Sequence, residues 1–341
     1  MRQKMLWVFL ALAVIAAVLF VVFNRSGEAA SSVLEEQPVN SLTLAGPLAD
    51  AKAEISGLAW YEDHLILLPQ YPNFSNESGD GFLYSLPKAE IIAYLDGTGK
   101  TELEPQPIKL IAPGLANQIQ NFQGFESIGF SGSKVFLTIE AGDGTDMQGY
   151  LISGTISADL SQLELDPTKL TLIPPQAVSE NHTDESILIL EDRVITFYEV
   201  IGEAIVADPV AHVFDLDLNS MGAIPMTNIE YRLTDTALSS DNEFWGINYF
   251  FPGDTDLLPK VDPISAKYGS GKSNAEFEHV ERLVKFEFSD AGVTLAETAP
   301  IPLVLTKDAR NWEGLVMLDD RGFLIATDKF PSTILGFVPL P

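Results

Sequence analysis

A chain of 341 residues with 46% hydrophobic residues can bury a sizeable core, yet 48 Asp and Glu against 20 Lys and Arg leave a formal net charge of −28. Such an excess argues against nucleic acid as a partner, because phosphate contacts rely on Lys and Arg, and it disfavours adsorption to anionic lipid headgroups. With no cysteine in the chain, disulfides, thiolate metal sites and Cys nucleophiles are excluded.

The first predicted element is the uninterrupted apolar run Met5 to Phe23, long enough for a helix to cross a hydrocarbon core of about 30 Å. Arg2 and Lys4 precede it and Arg25 follows it, so the N-terminus is expected in the cytoplasm, with the rest exported as a single-pass membrane protein facing the periplasm or cell surface. The competing reading is a signal peptide cleaved near Glu28-Ala29-Ala30-Ser31, which gives a secreted protein. Residues 1–25 are thus anchor or signal, residues 26–40 a polar linker and residues 41–341 the folded domain. Export without disulfides suits a bacterium better than a eukaryotic secretory route, which makes the sequons at Asn73, Asn76 and Asn181 incidental.

From residue 41 onward the chain repeats itself. Related segments begin at Ile55-Ser56-Gly57-Leu58, Phe125-Glu126-Ser127-Ile128, Asp184-Glu185-Ser186-Ile187, Asp235-Thr236-Ala237-Leu238 and Trp312-Glu313-Gly314-Leu315, roughly 50 to 80 residues apart, a period that signals stacked or radial units. Each reads as short strands separated by turn residues. The first unit offers strands at 58–60, 64–68, 81–84 and 108–111, the second at 127–130, 134–139, 150–153 and 170–173. The third offers 187–190, 193–198, 211–214 and 229–232, and the fourth 237–238, 243–247, 283–288 and 293–296. Residues 251–274, rich in Pro, Gly, Ser and Asp, read as a surface insertion, followed by a helical-looking stretch from Ala275 to Glu281.

The fifth unit has only three strands before the chain ends at Pro341, and the spare strand Ser41 to Ala45 is expected to pair with the strand around Thr333 to Val338. The expected fold is therefore all-β, a β-propeller of about five four-stranded blades closed by its N-terminal strand, with six blades as the alternative.

In a propeller the entry to the first strand of each blade and the exit from its second lie on one face around the channel. The entry series runs Ser56, Glu126, Glu185, Asp235, Glu313 and the exit series Gln70, Glu140, Glu199, Asn248, Asp328. Carboxylates that converge on one axis persist only if hydrated, protonated or neutralised by a cation. Glu126, Glu185, Asp235, Glu313, Glu140, Glu199 and Asp328 are therefore candidate metal ligands, with Ca2+ the preferred cofactor for hard oxygen donors. Each could instead bond backbone amides of the next blade. Gly142–Asp146 and Asp254–Asp256 lack the spacing of a calcium loop and read as solvated turns.

His182, beside Asp184 and Glu185, and Arg310, ahead of the last repeat, are the candidate catalytic residues. Arg310 and Lys329 suit ion pairs or an anionic group of a substrate. His64, His212 and His279 read as structural, and Trp60, Trp245 and Trp312 as core. Gly271-Lys272-Ser273 lacks the first glycine of a phosphate loop, where Ala266 stands. A nucleophile elbow around Ser131 is missing too.

Asn311-Trp312-Glu313-Gly314-Leu315 through Asp328, and Gly124-Phe125-Glu126-Ser127-Ile128 through Glu140, resemble the signature of phytase-like, or esterase-like, propeller domains. A looser similarity connects the chain to the regucalcin and gluconolactonase group, a resemblance that implies Glu313 as the first divalent-metal ligand to test. The chain lacks that group's Asn-Gly-Leu partner motif and the dense basic residues of calcium-dependent phytases. Two functions are compatible with this reading. The favoured one is a binding or scaffold domain whose small-molecule or protein ligand meets the acidic loop face. The alternative is a divalent-metal-dependent hydrolase of an ester, lactone or phosphoester.

Overall fold

The computed structural model describes residues 33–74 and 80–341. The expected span at residues 5–23, and with it the anchor, signal and localisation readings, lies outside the described residues. Among those described, no helix is long and apolar enough to cross a membrane.

The strands gather into five blades, numbered here in chain order. Blade 1 consists of Ile55–Tyr61, His64–Pro69, Gly81–Pro87 and Gln106–Ile111, blade 2 of Phe122–Ser131, Lys134–Asp143, Asp146–Ile156 and Gln162–Leu165. Blade 3 consists of Asp184–Leu190, Arg193–Tyr198, Val210–Asp215 and Ser220–Pro225, blade 4 of Arg232–Ser240, Glu243–Phe250, Val280–Ser289 and Gly292–Leu295. Blade 5 takes Trp312–Leu318, Gly322–Thr327 and Leu335–Pro339 from the C-terminus and Asn40–Leu42 from the N-terminus, with Ser41 opposite Gly336. The five inner strands neighbour one another in sequence and back to the first, which closes the ring.

The core follows from period-two alternation on strands buried on both faces. In His64–Pro69, Ile66 and Leu68 pack toward Phe125 and Leu137 of blade 2, whereas Leu65 and Leu67 pack toward Val316 and Leu324 of blade 5. Every neighbouring pair of blades holds such an apolar layer, with Trp312 and Trp245 between blades 4 and 5 and Phe244 and Phe286 in the layer of blades 3 and 4. At the junction of blades 5 and 1, a Cβ on Gly314 would lie 2.7 Å from Leu58 Cγ, so only glycine allows that approach.

Several outer elements differ from expectation. The fourth strand of blade 3 is Ser220–Pro225 rather than 229–232, and Arg232 instead opens blade 4. In blade 2 the third strand is flanked by Gln162–Leu165 on one half and by Thr171–Ile173 on the other. Gln162–Leu165 also pairs in parallel with Gln106–Ile111, fusing blades 1 and 2 into one sheet. The stretch from Ala275 to Glu281 is not an α-helix, because Val280 already begins the third strand of blade 4. A short helix forms earlier, at Pro263–Tyr268, where the Asp262 side chain accepts from Ile264 N. A further helix, Lys88–Leu95, interrupts blade 1.

The last part of the linker is bound to the domain. Val33–Leu34 pairs in parallel with Ser270–Gly271, Gln37 N donates to Pro302 O at 2.8 Å, and Glu36 Oε1 accepts from Ser273 N at 2.7 Å. The Gly271-Lys272-Ser273 turn thus holds a carboxylate of its own chain.

Candidate functional site

A β-bulge falls at the start of the inner strand in every blade: between Ile55 and Gly57, Phe125 and Ile128, Asp184 and Ser186, Leu233 and Thr236, and Trp312 and Gly314. The skipped positions contain the whole entry series, Ser56, Glu126, Glu185, Asp235 and Glu313. An unpaired residue turns its side chain out of the pleat, which is how the ladder delivers Ser56, Glu126, Glu185 and Glu313 to the channel mouth. Hydroxyls at or beside the bulges tie the ring together: Ser56 Oγ donates to Phe125 O and Thr234 Oγ1 to Trp312 O, both at 2.5 Å.

A cavity of about 260 Å³ opens there, lined by Glu126, Glu140, Glu185, Asp254, Glu313 and Asp328 together with Ser56, Gln70, Gln123, Asn181, Asn311, Arg232, Lys329 and four aromatic residues, Tyr71, Tyr249, Phe251 and Phe330. Its carboxyl groups differ in what holds them. Glu126 Oε1 accepts from Gln70 Nε2 at 3.2 Å, Glu140 Oε2 from Thr183 Oγ1 at 3.2 Å and Glu313 Oε1 from Tyr249 OH at 3.1 Å. Asp328 accepts from Phe330 N at 2.7 Å and Asn311 Nδ2 at 3.5 Å and lies beside the Lys329 ammonium, which itself reaches Glu54 at 3.2 Å. Glu185 is only 7% exposed, and its carboxyl has no hydrogen-bond partner among the described residues.

Electrostatics separates them further. Burial, followed by the repulsion of Glu199 and Glu313, pushes Glu185 well above the usual carboxyl range. Burial and then Asp328 do the same to Glu313, and burial and then Glu140 to Glu126. Glu140 is pushed up to about 7 by burial and then Glu199, and Asp328 to about 6, burial being opposed by its backbone donor and by Lys329.

The remaining expected residues lie elsewhere. Asp235 is a strut: it accepts from Leu315 N of blade 5 at 2.7 Å, Thr236 N at 2.9 Å and Ser127 Oγ of blade 2 at 3.2 Å. Glu199 is fully buried on Arg232, whose Nε also donates to Asp254 at 2.7 Å. Asn248 accepts from Arg282 Nε at 2.7 Å. Arg310 lies away from the cavity, sharing Glu281 with the Trp312 indole through bonds of 2.9 and 2.7 Å. His182 stands behind the lining, its Nδ1 2.6 Å from Ser179 Oγ and its Nε2 buried without a partner, and burial lowers its pKa. Among the described residues no group of three or more His, Asp or Glu is close enough to hold a metal ion.

Sequence reasoning missed Tyr71, Gln123, Asn181, Arg232, Tyr249, Phe251 and Phe330. Tyr71 directly follows Gln70, Tyr249 directly follows Asn248 and Phe251 lies two residues further on, so the exit series extended by a few residues would have reached them.

No family model and no curated protein matches the chain. Among solved structures it is similar to the GH32 β-fructofuranosidase of Bombyx mori in complex with sucrose, at TM-score 0.50 and 11% identity, covering 89% of this chain and 61% of that one. Other neighbours are the exo-β-1,3-galactanase of Phanerochaete chrysosporium, at TM-score 0.49, 10% identity and coverage of 90% and 65%, and a GH43_1 enzyme from Xanthomonas citri, at 0.47, 10%, 88% and 91%. The chain thus spans less than two thirds of the length of the first and second of these. At such identities the likeness to the fructofuranosidase speaks for the fold alone, and that fold is the β-propeller.

Proposed function

We propose that the protein is a hydrolase of glycosidic bonds, working by carboxyl acid–base chemistry at the mouth of the propeller channel. The observation that carries this reading is the contrast between two carboxyl groups that line one cavity, Glu185 from blade 3 and Asp328 from blade 5. Glu185 has no donor and burial pushes its carboxyl well above the usual range, whereas Asp328 has two hydrogen-bond donors and an ammonium neighbour and is pushed up only to about 6. A pair of carboxyl groups driven apart by their surroundings is the arrangement that supplies an acid and a base at one pH.

In the reaction, water adds to the anomeric carbon as the bond to the leaving oxygen breaks. Glu185 gives its proton to that oxygen and Asp328 takes one from the water. Carboxamides at Gln70, Gln123, Asn181 and Asn311 and the rings of Tyr71, Phe251 and Phe330 supply the hydrogen bonds and apolar faces that a sugar presents partners for. The glycoside hydrolase neighbours are compatible with this reading, which takes up the hydrolase alternative in preference to a binding scaffold.

The test is a screen of nitrophenyl glycosides with the parent protein, Glu185→Gln and Asp328→Asn. Each variant is expected to lose at least about a hundredfold in kcat, and the parent profile to rise through about pH 6 as Asp328 ionises and to fall again as Glu185 loses its proton. Variants as active as the parent would refute the assignment.

A further inference from the structure

The same cavity says something about which glycoside it accepts. Its lining carries six carboxyl groups and, among the described residues, two cationic side chains, both already engaged: Arg232 by Glu199 and Asp254, and Lys329 by Glu54. Glu126 and Glu140, 6% and 3% exposed, each spend one oxygen on a neutral donor, Gln70 or Thr183. The second oxygen of each has no protein partner among the described residues, yet is not sealed off. Glu185, more than nine-tenths buried in the same lining, has no hydrogen-bond partner for its carboxyl among the described residues. Beside Glu126 and Glu140 lies Tyr71, its hydroxyl spent on Gln123 O and its ring set edge-on against Phe122.

Resting on the glycosidase reading, we propose that the substrate is an amino sugar carrying a free primary amine, whose ammonium group binds the open oxygens of Glu126 and Glu140 beside the ring of Tyr71. An ammonium has three donors and no acceptor, and it is attracted to both carboxylates and aromatic faces. A neutral sugar has no charge with which to draw the protons from these carboxyl groups. Calcium takes oxygen ligands at about 2.3–2.6 Å, and among the described residues no three carboxyl groups stand close enough to share an ion. A cavity of about 260 Å³ accommodates an organic unit.

Binding of a cation also has a pH signature. Glu126 and Glu140 face Glu185 and Glu199 of blade 3, Asp328 of blade 5, Arg232 of blade 4 and Tyr71 of blade 1, and burial, together with this mostly acidic company, raises their affinity for protons. An ammonium reverses the balance, so its binding releases protons and tightens as pH rises toward 7, whereas a neutral sugar has no such dependence.

The experiment uses the full chain. Glucosamine, glucose, N-acetylglucosamine and, separately, calcium chloride are titrated calorimetrically between about pH 5.5 and 7, and the nitrophenyl glycosides of the three sugars are compared as substrates. Expected is a preference for the free amine of about tenfold to a hundredfold, growing with pH and collapsing toward unity in Glu126→Gln, a variant whose folding is checked by its unfolding midpoint. Neutral sugars bound and cleaved as well as the amine would overturn this proposal and leave the glycosidase reading standing. Glucosamine bound with the expected pH trend but no glycoside cleaved would sustain the ammonium site and overturn the glycosidase. Calcium bound more tightly than glucosamine, or no binding of any sugar, would overturn the ammonium assignment.

Discussion

Replacing Glu140 by Gln should stabilise the protein, and only at the alkaline side. Burial and Glu199 raise this carboxyl from the ordinary 4.5 to about 7, so the folded state holds a proton that the unfolded chain has released. Its contribution to stability is whole below about pH 4.5 and is lost as pH climbs through about 7. A rise of that size is worth roughly 3 kcal/mol at about 1.4 kcal/mol per pH unit. Gln keeps the shape and an oxygen for Thr183 Oγ1 but cannot ionise, so at about pH 8 the variant should gain up to roughly 3 kcal/mol, and near pH 4.5 almost nothing. For a domain of this size that corresponds to an unfolding midpoint higher by about 6 °C at pH 8, at about 2 °C per kcal/mol. Thermal unfolding of parent and variant in parallel buffers gives the answer. A gain equal at both pH values, or a loss at pH 8, would show that Glu140 is ionised and well satisfied in the folded protein.

Asp235→Ala strands the buried Leu315 and Thr236 amides and the Ser127 hydroxyl, at about 1–3 kcal/mol for each unsatisfied group; a fall of about 3–5 kcal/mol by denaturant unfolding is expected, with Asp235→Asn milder, and an Ala variant as stable as the parent would remove the strut. Leu42, 4% exposed in the ring-closing strand, should not tolerate a charge: Leu42→Asp is expected to cost at least about 3 kcal/mol while unfolding stays a single transition, and an unchanged midpoint would mean that the ring does not depend on this closure.

Inner and second strands were legible because both of their faces are buried, which writes continuous apolar runs such as Leu65 to Leu68 and Val135 to Ile139. Outer strands carry little such signal. Ser220–Pro225 is mostly exposed and holds a single Ile and a single Met as large apolar residues, so the more apolar-looking Ile229 to Arg232 drew the assignment. Of the site, the convergence of Glu126, Glu140, Glu185, Glu313 and Asp328 was legible from the repeat, because homologous positions in a radial fold must meet. What separates Asp235 from them was not: its carboxyl meets the Leu315 amide and the Ser127 hydroxyl, both contributed by distant stretches of chain. The resemblance to phytase-like and gluconolactonase propellers rests on the short motif at Asn311 to Leu315 and its cousin alone.

The recurrent bulge works as a socket. In every blade the ladder resumes its register beyond the skipped residues, so one backbone pattern mounts side chains of different chemistry. In this one chain the same slot already holds a hydroxyl clasp at Ser56, an open carboxyl at Glu185 and a phenol-bound one at Glu313. Exchange of the Glu185 side chain can therefore alter what the mouth of the channel recognises while the apolar layers between blades stay as they are, whereas the slot of Asp235 is tied to Leu315 and to Ser127 of the blade 2 bulge.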